Sequence, residues 1–152
     1  MGGLPRTTRW EEPAEVLGRR FVLVIEGPVP PGRYEVRIWE GRVGGRASQY
    51  LRAPIRGREV EEARERALEV LHHHVGLDRF RLVVEEVARQ VLPGAEVELG
   101  EDARDVTVTL AGRYALRVPL VISRDRVRDP DVDLASLRAL ARAHLQTNAV
   151  RR

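Results

Sequence analysis

The chain has 152 residues, 43% of them hydrophobic and 32% charged, and its 26 basic side chains against 23 acidic ones leave a formal net charge of +3. That size and hydrophobic content suit a core that needs neither disulfide nor structural metal. Cysteine and lysine are both absent, which excludes disulfides, thiol nucleophiles, thiolate metal sites, iron–sulfur clusters, Schiff-base lysines, phosphate-loop lysines and Ser-Lys pairs.

Every basic residue is therefore arginine, a pattern that GC-rich coding explains without selection for guanidinium chemistry. Asparagine stands only at 148, glutamine only at 49, 90 and 146, and methionine only at 1, a depletion of thermolabile residues compatible with a thermophilic source. Positive and negative charges largely cancel, so net charge alone does not point to nucleic acid. The longest apolar runs, Phe21 to Ile25 and Val118 to Ile122, are strand-sized, and no export segment follows Met1. The expectation is a cytoplasmic protein with no membrane contact.

Residues 1–19 mix Gly, Pro, Thr and charges around Trp10, which predicts a flexible arm docked through Trp10 and Val16-Leu17. Residues 20–147 then form a single α+β domain. The run from Phe21 to Ile25 is a β-branched and aromatic strand, stopped by Gly27 to Gly32 and followed by a second strand from Arg33 to Glu40. After a breaker at Gly41 to Gly45, residues 48–55 form a weaker strand that Pro54 assigns to an edge.

Beyond Gly57 the period changes to 3.6: Val60, Ala63, Ala67, Val70, Leu71 and Val75 make one stripe, and Gly76 ends that helix. Leu77, Phe80, Val84, Val87 and Val91 form a second helix that stops at Pro93-Gly94. Period two returns in Ala95 to Leu99, Asp105 to Leu110 and Arg113 to Ser123, the last aligning Tyr114, Leu116, Val118, Leu120 and Ile122 on one face. Pro119 sends that strand toward an edge or a bulge. A closing helix begins near Asp131 to Asp133 and continues through Leu134, Leu137, Leu140, Ala141 and Leu145. Residues 148–152 form a basic tail.

Gly32-Arg-Tyr-Glu-Val-Arg-Ile38 and Gly112-Arg-Tyr-Ala-Leu-Arg-Val118 share one pattern, which a duplicated ββα unit explains as well as coincidence does. A duplication predicts an antiparallel sheet of two hairpins with amphipathic helices on one face. The order strand, strand, strand, helix over Phe21 to Val75 resembles the N-terminal half of HicB-type antitoxins, in element order and over about a third of the chain. That resemblance implies a short three-stranded sheet backed by one helix; the family's Pro-Gly-Cys type turn is missing.

Three candidate sites follow from residue chemistry. On the second strand Arg33, Glu35, Arg37 and Trp39 face one way, and Arg113 and Arg117 take the matching side of the repeated motif. In one sheet, these four arginines with Trp39 make a surface for phosphate contact and base stacking. The competing reading is a solvated face on which Glu35 and neighbouring acids pair the charges. His72, His73 and His74 with Glu69, completed by His144 on the last helix, form the second candidate, a metal site. Consecutive helical residues point about 100° apart, however, and cannot chelate one ion together.

Asp129, Asp131 and Asp133 copy half of a calcium loop but lack its glycine and bidentate glutamate. Glu96, Glu98, Asp102 and Asp105 fall on a solvated sheet face. No serine has the Gly-x-Ser-x-Gly context, and no glycine group opens a helix as a phosphate loop. The balance leans against an enzyme and calls for no cofactor. The leading expectation is association with itself or a protein partner, through an exposed edge strand near Pro54 or Pro119. Nucleic-acid binding through the arginines comes second, and a metal protein or enzyme centred on the histidines third.

Overall fold

The computed structural model describes residues 7–29, 32–41, 49–51 and 54–152. The chain is α+β, with antiparallel strand pairing throughout. It divides into two compact units, residues 1–72 and 73–152, where the sequence reading has one domain over 20–147. The boundary falls inside a helix.

The first unit holds β1 (Thr8–Val16), β2 (Arg19–Val29), β3 (Arg33–Glu40) and β4 (Ile55–Gly57) in the spatial order β1-β2-β3-β4. It also holds the first part of α1 (Val60–Val91). Phe21, Leu23 and Ile25 alternate along β2 and are buried with Val36 and Ile38 of β3. On α1, Ala63, Ala67 and Leu71 recur every fourth residue and are buried as well. Gly57 lets β4 lie against the first helical turn, since a Cβ there would stand 2.5 Å from the Ala63 backbone nitrogen.

Within the expected arm, Thr8–Val16 is an edge strand, and residues 1–6 lie outside the described residues. Trp10, Glu12, Ala14 and Val16 alternate with the more exposed Arg9, Glu11, Pro13 and Glu15, and their register partners Ile25, Leu23, Phe21 and Arg19 lie on β2. The strand expected over 48–55 is β4 instead, with Gln49 adding one bridge to Trp39. Most of the Gly41 to Gly45 breaker lies outside the described residues.

The second unit holds the rest of α1, β5 (Glu96–Glu101), β6 (Asp105–Ala111), β7 (Tyr114–Leu116), β8 (Leu120–Ser123), α2 (Arg124–Arg128), α3 (Leu134–Asn148) and β9 (Ala149–Arg151). Its strands form two sheets, β5-β6-β8 and β7-β9. Phe80, Val84 and Val87 of α1 join Val106, Val108 and Leu110 of β6, Leu120 and Ile122 of β8, and Leu137, Ala141 and Leu145 of α3 in one core.

Several expectations change here. Gly76 does not end a helix; α1 runs unbroken through it, and the position suits glycine because a Cβ would come within 2.8 Å of the Val127 carbonyl oxygen. The single strand expected over 113–123 is split at Arg117 to Pro119 into β7 and β8, which belong to different sheets. Val118, expected on the buried face, is 55% exposed. The basic tail is β9, paired with β7 through Leu116 to Ala149 and Tyr114 to Arg151. The two Gly-Arg-Tyr motifs therefore do not build one sheet. Asp133 caps α3 by accepting from the Ala135 N–H, as its position before an apolar stripe predicts.

Candidate functional site

The β3 strand places Arg33, Glu35, Arg37 and Trp39 on the side opposite buried Val36 and Ile38, in agreement with the alternation. Glu35 stands opposite Arg56 in the β3–β4 register. Its carboxylate accepts from Arg56 Nε at 3.1 Å and lies 3.6 Å from Arg37 Nη2. Two of the cations on this face thus share one carboxylate.

Arg33 has no such neighbour. It lines a cavity of about 360 Å³ together with Arg56, Gly57, Arg58, Glu62 and Arg66. Glu62 is fully engaged: one oxygen accepts from the Arg58 backbone N–H at 3.0 Å and the other pairs with Arg66 at 2.6 Å. Arg66 also donates to the Arg56 carbonyl oxygen at 3.0 Å, satisfying an acceptor of β4. Among the described residues no carboxylate lies within 4.0 Å of the Arg33 or Arg58 guanidinium. The cavity is an electropositive hollow whose wall is fixed by Gly57, Glu62 and Arg66.

The sequence reading missed Arg56, Arg58 and Arg66. Arg56 and Arg58 flank Gly57, and Arg66 follows Glu62 by four residues, a spacing that pairs side chains on one helix face. Nothing local joins those two signals to Arg33; the β3–β4 pairing does. Arg113 and Arg117 flank β7 in the second unit, and β7 belongs to a different sheet from β3. Both are exposed there.

The histidines disperse along and beyond α1. Glu69 and His72 are exposed, and His74 is half-buried. His73 is only 7% exposed. Its Nε2 lies 2.8 Å from Glu101 Oε2, while Arg124 Nη2 stands 3.1 Å from Nε2 and 3.5 Å from Nδ1. A neutral ring protonated at Nε2 donates to Glu101, and Arg124 Nη2 stands close to both ring nitrogens. Burial holds the His73 pKa below its ordinary value, the Glu101 carboxylate opposes that shift, and the Arg124 charge adds to it.

His144 Nε2 donates to the Val118 carbonyl oxygen at 2.7 Å. Among the described residues no group of three His, Cys, Asp or Glu side chains is arranged to hold a metal ion. Both nitrogens of His73 face protein groups, so the residue at the centre of the run offers a ligand nothing. Asp102, drawn in sequence as part of an acidic cluster, accepts from the Arg104 and Asp105 backbone N–H groups at 2.8 Å each and closes the β5–β6 turn. Those bonds hold its carboxyl below the usual range.

No protein-family model matches the chain, and neither the curated proteins nor the solved structures contain a match to it.

Proposed function

We propose that this chain is a non-enzymatic binding module whose first unit engages the phosphates of a nucleic acid through Arg33, Arg56, Arg58 and Arg66. The observation that carries the reading is that four arginines line one cavity, two of them without a carboxylate partner among the described residues. Guanidinium is a planar fork that meets phosphate oxygens bidentately and keeps its charge at any working pH. The carboxylate among the lining residues, Glu62, is engaged by Arg66 and the Arg58 N–H, which favours recognition over catalysis as the chemistry of the cavity.

The test is fluorescence anisotropy of the intact chain with a labelled single-stranded oligonucleotide at low and moderate salt, beside the double variant Arg33→Ala plus Arg58→Ala. Micromolar binding that weakens with salt and is lost in the variant supports the reading. No binding at low salt overturns it.

One observation favours a second reading, the pairing of two copies. In β5-β6-β8 the outer strand β8 contains neither charge nor proline, and its Val121 is 55% exposed, as is nearby Val118. Two other edges are guarded: β1 carries Pro13 with Glu11, Glu12 and Glu15, and β5 carries Glu96, Glu98 and Glu101. Sedimentation of wild type against Val121→Glu decides it; a dimer that the charge dissociates supports edge pairing, and a wild-type monomer at high concentration removes it.

A further inference from the structure

The arrangement of the unpaired charges says which phosphate the cavity takes. A surface that tracks a nucleic-acid backbone needs a row of open cations, because each phosphodiester carries one negative charge. On β3 that row is interrupted after one residue, since Arg37 lies 3.6 Å from Glu35 and shares it with Arg56. The open cations converge instead: Arg33 at the start of β3 and Arg58 just after β4 meet at one hollow. At about 360 Å³ the hollow has the volume of a small-ligand pocket and not of an extended groove.

Charge balance points the same way. Glu62 spends its two oxygens on Arg66 and on the Arg58 N–H, and Glu35 spends its own on Arg56 and Arg37. Arg33 and Arg58 remain as two uncompensated charges. A phosphodiester neutralises one of them, whereas a phosphate monoester, with about 1.5 to 2 negative charges at neutral pH and three terminal oxygens, meets both.

Resting on the phosphate-binding reading above, we infer that the cavity formed by Arg33, Arg56, Arg58 and Arg66 is a site for a phosphate monoester dianion, such as the terminal phosphate of an oligonucleotide. Arg33 and Arg58 supply the two forks. Arg56 and Arg66 are fixed by their glutamates and by the Arg66 bond to the Arg56 carbonyl, so they shape the wall before the ligand arrives.

The experiment titrates the intact chain with one labelled oligonucleotide sequence in three forms: 5′-phosphorylated, 3′-phosphorylated and unphosphorylated, each with and without inorganic phosphate as competitor. Wild type is compared with Arg33→Ala plus Arg58→Ala and with Arg33→Lys plus Arg58→Lys, all checked for unchanged circular dichroism. The inference expects at least one phosphorylated form to bind about tenfold or more tightly than the unphosphorylated one, the advantage being lost with alanine and reduced with lysine. Displacement of that form by inorganic phosphate at equal concentration also supports the monoester chemistry and assigns the ligand to small phosphates. Equal, salt-sensitive binding of all three forms, lost in the alanine variant, overturns the monoester inference and leaves nucleic-acid binding standing. No binding by any form at low salt overturns both.

Discussion

In the second unit Arg79 and Arg124 complete the hydrogen bonding of the backbone, whereas in the first Arg56, Arg64 and Arg66 pair with carboxylates and Arg33 and Arg58 face none among the described residues. Arg79 Nη2 donates to the carbonyls of Val127 and Asp129 at 3.1 and 2.8 Å, closing the C-terminal end of α2. Arg124 donates to the Asp102 carbonyl at 3.0 Å and borders buried His73. In the first unit, by contrast, Arg64 grips Glu12 with two bonds, Arg56 and Arg66 hold their own glutamates, and Arg33 and Arg58 stand open. One residue type thus serves as a structural donor at Arg79, Arg124 and Arg66 and as an open charge at Arg33 and Arg58. Composition cannot separate those roles; the distance to the nearest oxygen does.

Substitutions can break or sharpen that contrast. The largest effect belongs to neither class of arginine: Phe80→Ala removes a ring that is 1% exposed in the second core and should cost about 3–5 kcal/mol in a denaturant titration. A cost below about 1 kcal/mol would mean that Phe80 is not the core residue described. Next, Arg79→Met strips two carbonyls of α2 of their donor and should destabilise by about 1–3 kcal/mol, the signature of an arginine that belongs to the fold. Gly57→Ala, which forces a Cβ to within 2.5 Å of the Ala63 nitrogen, belongs in the same range of about 1–3 kcal/mol.

A smaller effect separates the units by pH. The folded His73 resists protonation, so the unfolded chain takes up a proton first as pH falls below 6.5, and stability declines from there toward the lower folded value. Glu12 behaves in a more acidic window. Its bonds from Arg64 hold its pKa below 4.5, and the stability it contributes above that pH is lost as pH falls through the folded value. His73→Gln should flatten the stability curve just below pH 6.5 and leave the Glu12 window unchanged. An unaltered slope in that variant would show that His73 already titrates normally. The smallest effect is the sharpest test: Arg33→Ala and Arg58→Ala should each move stability by less than about 0.5 kcal/mol, because neither guanidinium is paired with a carboxylate among the described residues.

The elements that read correctly were those with an uninterrupted period. Phe21 to Ile25, the stripe through Ala63, Ala67 and Leu71, and the capped start of α3 all carry their own signal. β1 escaped because one of its inward positions is Glu12, and what makes that position tolerable is Arg64, fifty-two residues later. The α1 continuity escaped because a glycine inside a periodic stretch looks like a stop unless the carbonyl that crowds it is known. Half of the cavity was legible, since alternation put Arg33 on the outer face of β3. Arg58 was not, because it lies on no periodic element and joins Arg33 only through the pairing of β3 with β4. The histidine run shows the opposite failure: the most conspicuous residues in the sequence are separated by the helix that holds them, and the middle one is consumed by Glu101 and Arg124.

Gly76 makes one part of this fold recognisable in other chains. An alanine there would favour the helix by about 1 kcal/mol on propensity alone, yet its methyl carbon would press on the Val127 carbonyl. Here α1 and the end of α2 meet at a point with room for a hydrogen atom and little more. A distant relative that keeps this crossing must keep glycine at the sixteenth position after the residue corresponding to Val60, whatever else has drifted, and one that has lost the glycine has moved α2 away from α1.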